Sequence, residues 1–266
     1  MRSRLLTQTF AALALVLAAT AAASAQDFQK SYQLSQSGSV RIENVSGNIS
    51  ISGHDGSTVV VSAFKEGPDR DLVEVEDLSA PDRVHLRAKY PSDGCRNCNA
   101  SLRFEVRVPR SGVNIERIST ASGDVTAADF SGRVNLSTAS GDVTLQGVSG
   151  EIDASTASGR VKVTNASGSV RASSASGDVE VEIARLEGTR DLRFSSASGD
   201  VRVRLPNDLD ARVHLSTASG QIETDFPIEV RRHEHGGGST ARGQLGGGSR
   251  SVRISTASGD VSLKSL

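Results

Sequence analysis

The residues able to do chemistry are few, and their spacing narrows what that chemistry can be. Cys95 and Cys98 are the only cysteines among 266 residues, in the order Cys95-Arg96-Asn97-Cys98. Asp93-Gly94 before them and Asn99 after them mark a tight loop between strands, so a local disulfide is expected in an oxidising compartment. Free or transient thiols and a redox or metal pair are the other readings. A redox pair needs a helix N-terminus to lower one thiol pKa, and zinc needs two further ligands. The sequence shows neither. His233 and His235 flank Glu234 beside a glycine run, a spacing that lets two imidazoles share a metal. No third ligand is identifiable, and solvated loop histidines are the plainer reading.

A third candidate is a row of acids. Asp124, Asp142, Asp178, Asp200 and Asp260 each follow a glycine, with Arg160 and Gln221 in the equivalent places. Stacked carboxylates one strand apart repel by roughly 1 kcal/mol per adjacent pair in water. Arg160 relieves this between Asp142 and Asp178. A calcium row is the sharper alternative, but the calcium-binding repeat uses Gly-Gly-x-Gly-x-Asp, which this chain lacks. Solvated turn aspartates are therefore expected. The many serines make no nucleophile elbow between a strand and a helix. His54, His85 and His214 lie in or near strand-like segments, with no pattern linking any of them to a serine. No catalytic, cofactor-binding or metal-ligating residue is assigned, and no cofactor is expected.

The elements that carry these residues come from a repeat. Ser-Thr-Ala-Ser-Gly-Asp-Val occupies 119–125, 137–143 and 255–261, with close variants at 155–161, 173–179, 195–201 and 216–222. Gly123, Gly132, Gly141, Gly150, Gly159, Gly168 and Gly177 are nine residues apart, so the full phrase returns every 18 as two nine-residue halves. Gly199, Gly220 and Gly259 continue the series at looser spacing. After each glycine apolar and polar residues alternate, as in Val143-Thr144-Leu145 and Val161-Lys162-Val163. That is the signal of a half-buried strand. One 18-residue unit offers about four inward apolar side chains, too few to offset roughly 1–2 kcal/mol of ordering per residue. Units must stack. The expected fold is all-β, a β-solenoid or β-helix-like stack of short strands with an 18-residue (9 + 9) repeat.

Around the repeat, residues 26–118 read as an irregular β region, the first rungs or the cap of the same stack. Residues 119–266 read as the repeat region. Val45-Ser46-Gly47-Asn48-Ile49 looks like an early short turn, and 227–250, with two Gly-Gly-Gly runs, like a loop and a close-packed turn or short strand. Residues 1–25 carry Arg2 and Arg4, an apolar run and Ala23-Ser24-Ala25, the pattern of a signal peptide cut after Ala25. The expected location is periplasmic or extracellular, with no membrane span after cleavage. The net charge of −1 and the absence of a basic block give a nucleic-acid role no electrostatic support.

The order of these motifs resembles a bacterial family of exported β-strand repeat proteins labelled putative adhesins, a domain of unknown function. The resemblance runs over about 38–266. It rests on Phe104-Glu105-Val106-Arg107-Val108-Pro109 leading into the first full phrase, then Val203-Arg204-Leu205-Pro206, then Gly246-Gly247-Gly248 before the last phrase. It implies a solenoid-like fold in the cell envelope and transfers no catalytic residue. The cysteine pair and the histidine loop fall outside its pattern.

The expected function is a non-enzymatic envelope or secreted scaffold or adhesin-like binding module, facing a protein or surface partner still to be named. The exposed Thr144, Lys162 and Glu180 would form part of its face. A glycan- or ion-binding module is the alternative. A polysaccharide lyase is the enzyme rival, disfavoured because sugar platforms use aromatic rings and this chain has two Tyr and no Trp.

Overall fold

The computed structural model describes residues 26–35, 37–91, 98–188, 190–232 and 237–266. The expected signal peptide, Cys95, His233, Glu234 and His235 lie outside the described residues.

The alternating pattern yields 22 strands and one short 3-10 turn, Arg70–Leu72, among the described residues. The first are β1 (Phe28–Tyr32), β2 (Gly38–Glu43), β3 (Ile49–His54), β4 (Val59–Glu66), β5 (Glu74–Asp77), β6 (Arg83–Lys89) and β7 (Ser101–Pro109). The regular repeats form β8 (Val113–Ser122), β9 (Val125–Ala128), β10 (Ser131–Ser140), β11 (Val143–Gln146), β12 (Ser149–Ser158), β13 (Val161–Ser176) and β14 (Val179–Arg185). Next come β15 (Leu192–Ser198), β16 (Val201–Leu205), β17 (Ala211–Ser219) and β18 (Ile222–Thr224). The chain ends with β19 (Glu229–Arg232), β20 (Ser239–Leu245), β21 (Arg250–Ser258) and β22 (Val261–Ser265).

The strands form one mostly parallel sheet that runs as two ladders. The first ladder is ordered β6–β2–β8–β10–β12–β13–β15–β21–β17. The second is ordered β7–β3–β9–β11–β13–β14–β16–β22–β18. β13 belongs to both, because its first residues pair with β11 and its last with β12. Inward side chains of the two ladders meet in one apolar cluster. Like lies on like: Val143 pairs with Val125 and Val161, and Leu145 with Ala127 and Val163. Each buried Val, Leu or Ile contributes roughly 1.5–3 kcal/mol, and Phe104 and Phe194 are the largest rings fully enclosed.

Antiparallel strands finish three of the four ladder ends. β5 covers β6, β4 and then β1 cover β7, and β20 and then β19 cover β17. At the first end Asp77 of β5 accepts from Lys30 Nζ (2.7 Å) and Tyr32 OH (3.0 Å) of β1, tying the two caps together. The fourth end is closed by β18, which spans only Ile222–Thr224 and leaves little free edge.

Several expectations change here. The nine-residue halves are unequal as structure: β10 runs from Ser131 to Ser140, whereas β11 covers only Val143–Gln146. Segment 227–250 is largely strand, since β19 and β20 form the antiparallel cap. Gly47 does not belong with the short turns. Its N–H donates to Ser122 O (2.8 Å) and its carbonyl lies under Gly123, so it heads the long-turn column. The stack also departs from chain order at both ends. β2 and β3 sit inside β6 and β7, and the final pair β21 and β22 is inserted between β15 and β16 on one side and β17 and β18 on the other.

Candidate functional site

The repeated phrase is consumed by the stack itself. In each rung the Thr or Ser hydroxyl of the phrase donates to the glycine carbonyl of the neighbouring rung. Thr138 reaches Gly123 O at 3.0 Å, Thr156 reaches Gly141 O at 2.9 Å, Ser174 reaches Gly159 O at 2.9 Å and Thr256 reaches Gly199 O at 2.8 Å. The glycine N–H donates to the serine carbonyl of the next rung, as Gly141 does to Ser158 at 3.0 Å. Glycine is needed because the next rung passes close by. At Gly141 φ is +152°, and a Cβ would stand 2.2 Å from Gly123 O.

The aspartate row is part of the same lattice. Asp124 Oδ1 accepts the backbone N–H of Asp142 at 2.9 Å, and Asp142 Oδ1 that of Arg160 at 2.7 Å. Asp178 Oδ1 accepts from Asp200 at 2.9 Å, Asp200 Oδ1 from Asp260 at 2.8 Å, and Asp260 Oδ1 from Gln221 at 2.8 Å. Asn48 starts the series by accepting from Asp124 at 2.9 Å. These carboxylates are backbone acceptors rather than free turn groups, which corrects the picture of simply solvated aspartates. Burial alone would raise the Asp178 pKa, but the Asp200 N–H and Arg202 outweigh it and hold the carboxyl below its ordinary range.

The other sequence candidates fall apart in space. Cys98 is disulfide-bonded. His54 closes a turn, with Nε2 2.7 Å from Thr58 O and Nδ1 accepting from Gly56 N–H at 3.0 Å. His85 faces Glu43 at 3.5 Å. Among the described residues no three His, Cys, Asp or Glu side chains are grouped to hold a metal ion.

The outward faces differ sharply in charge. Thr144, Lys162 and Glu180 do line up on the second ladder, followed by Arg202 and Ser262. A shallow groove of about 350 Å³ lies over Lys162, Glu180 and Arg202, lined also by Thr164, Glu182 and Arg204. Arg202 is held by acids of the same surface, meeting Asp200 at 2.5 Å, Asp178 at 3.2 Å and Glu180 at 3.8 Å. The β2–β6 end of the first ladder is neutralised in the same way. Glu43 contacts Arg41 at 2.5 Å and Arg87 at 3.3 Å, and the Arg41 guanidinium foremost draws its pKa down to about 2.

The other half of the first ladder is not neutralised. Arg171, Arg193, Arg253, His214 and Arg242 are consecutive partners across β13, β15, β21, β17 and β20. The four arginines are exposed, and none is in an ion pair among the described residues. Asp153 precedes Arg171 in the register, and Glu229 follows Arg242 but is held by Arg231 at 3.0 Å. Asp191, two residues before Arg193, accepts the Ser251 N–H at 2.8 Å. Burial foremost, and then Arg242 and Arg253, lower the His214 pKa. Beside the column runs a row of hydroxyls, Ser173, Ser195, Ser255, Ser216 and Thr240, in the same register. Arg212 adds a further exposed cation next to His214 and Ser251.

Sequence reading missed this column, yet a signal was present. Each member on a repeat strand stands two residues before the first Ser of its phrase, as in Arg171-Ala172-Ser173, Arg193-Phe194-Ser195, His214-Leu215-Ser216 and Arg253-Ile254-Ser255.

The family profile described as Toastrack DUF4097 matches residues 35–264. The chain belongs to this family. Solved structures that match include a putative adhesin from Bacteroides fragilis, 15% identical, covering 90% of this chain and 96% of that one with a TM-score of 0.41. A putative lipid binding protein from Parabacteroides distasonis is 14% identical, with coverage of 90% and 96% and a TM-score of 0.43. A putative cell adhesion protein from Clostridium sporogenes is 12% identical, with coverage of 90% and 99% and a TM-score of 0.39. A search of curated proteins returns no match.

Proposed function

We propose that this Toastrack chain is a non-enzymatic recognition module of the cell envelope, built as a β-solenoid with an 18-residue rung and adhesin-like in use. One observation carries the reading. The Thr, Gly and Asp of the repeated phrase are engaged between rungs, while the chemistry left free is laid out in straight columns on strand faces. A column is suited to holding an extended partner rather than to surrounding a small substrate. The signal-type N-terminus supports a location outside the cytoplasm, and the adhesin and lipid-binding descriptions of the structural neighbours fit a binding role.

The test combines two measurements on the full-length product. Cell fractionation followed by incubation with isolated surface material is expected to recover the protein in the envelope or medium and retain it on that material. A panel of polysaccharides and esters is expected to remain intact. Turnover of any of them, or a cytoplasmic product with no surface retention, would overturn the proposal.

A further inference from the structure

The unpaired arginine column has a shape and a composition that specify a partner. From the register and the charge balance we infer that Arg171, Arg193, Arg253 and Arg242, with Arg212 at the side, bind a linear acidic polysaccharide laid across the strands of the first ladder. This rests on the recognition role proposed above and adds the chemistry of the partner.

Three observations lead there. First, the cations repeat at the strand spacing of about 4.8 Å, close to the advance of an extended uronate polymer per sugar. A chain crossing the strands meets a guanidinium on β13, β15, β21 and β20, with His214 on β17 between the last two, and a guanidinium forks onto a carboxylate with two parallel hydrogen bonds. Second, the parallel row Ser173, Ser195, Ser255, Ser216 and Thr240 sets a hydroxyl beside each cation, which matches a polymer carrying both carboxylates and hydroxyls. Third, the face lacks what other polyanions use. Every described aromatic ring is buried or packed against the core, so no platform stacks a nucleic-acid base. Among the described residues the exposed large apolar side chains, Val45, Leu72, Leu78, Val230 and Leu266, all lie outside the column, so none of them offers an apolar patch to a lipid surface there.

The opposite ladder and the β2–β6 end serve as internal comparisons. There Arg202, Arg41 and Arg87 are already held by acids of their own surface. Among the described residues Arg204 is in no ion pair, but its register partners are Glu182 and Lys264, so no run of free guanidinium groups continues from it.

The experiment measures binding of polygalacturonate to the full-length protein, with dextran, single-stranded DNA of equal charge and anionic phospholipid vesicles as parallel probes. Polygalacturonate is expected to bind, with affinity falling on the order of tenfold between 50 and 200 mM salt, and dextran is not. Arg193→Ser with Arg253→Ser should weaken binding at least tenfold. Arg193→Lys with Arg253→Lys should retain part of it, and Arg204→Ser on the other ladder should leave it unchanged. Unaltered thermal unfolding of the serine variant excludes loss of fold as the cause. Equal binding by wild type and serine variant would overturn the site, and so would DNA or vesicles binding as tightly as polygalacturonate. Retention on surface material without any polygalacturonate binding would overturn this chemistry alone and leave the recognition role standing.

Discussion

The side chain of Asp124 accepts the backbone N–H of Asp142 at 2.9 Å, one rung away. The same contact passes from Asp142 to Arg160, and from Asp178 through Asp200 and Asp260 to Gln221. The repeated aspartate is therefore a latch between rungs. It satisfies a turn N–H that parallel pairing leaves over.

The latch needs an acceptor, not a charge. Asp142→Asn is expected to keep the contact, as Asn48 does naturally, and to leave the unfolding midpoint nearly unchanged. Asp142→Ala should destabilise by about 0.5–1.5 kcal/mol, the net worth of one hydrogen bond, in denaturant titration. Equal losses for both variants, or a calcium-dependent midpoint in the wild type, would argue for a metal row instead.

Glycine substitutions separate close approach from backbone angle. Gly168 has φ +113° and its Cβ would lie 2.2 Å from Gly150 O, whereas Gly112 has φ +85° and open space around it. Gly112→Ala should cost about 1–2 kcal/mol through conformation alone. Gly168→Ala should cost at least about twice that, because a backbone rung must shift. Comparable midpoints for the two would refute the packing account.

Stability should fall on acidification in two separate windows. His214 faces Arg242 of β20 and Arg253 of β21, with Arg212 nearby on its own strand, and burial foremost, then Arg242 and Arg253, holds its pKa below the ordinary 6.5. The unfolded chain then takes up the proton first, so stability is full above about 6.5 and declines as pH falls toward the folded value. Glu43 has a folded pKa of about 2 against an ordinary 4.5, so its contribution is full above 4.5 and is lost as pH falls from there toward 2. His214→Gln should flatten the first decline and leave the second. An unchanged profile would disprove the assignment.

The arginine column carries a standing repulsion. Adjacent like charges at this spacing repel by up to about 1 kcal/mol in water, less in salt. Arg253→Ser is thus expected to raise the thermal midpoint at low ionic strength, with the gain shrinking as salt is added. A lowered midpoint at low salt would show that Arg253 has a structural role.

What could be read from the sequence was whatever repeats locally. The spacing of Gly123 to Gly177, the alternation in Val143-Thr144-Leu145 and the thin core without Trp all follow from neighbours in the chain. Identical phrases do not say which stacks on which. Nothing local to Ser255-Thr256-Ala257-Ser258 places it between the phrases at 195 and 216. The arginine column was hidden for the same reason: its members lie far apart in the chain and meet only through that order. The aspartate latch was obscured because its partner sits in another rung.

The insertion of β21 and β22 between earlier strands also sets the order of assembly. During synthesis β15 with β16 and β17 with β18 are complete before the strands that separate them exist. The stack cannot close progressively behind the emerging chain. It must hold a gap, and an open hydrophobic slot, until β21 and β22 arrive. Val261-Ser262-Leu263 is the keystone of the second ladder, because it joins β16 to β18.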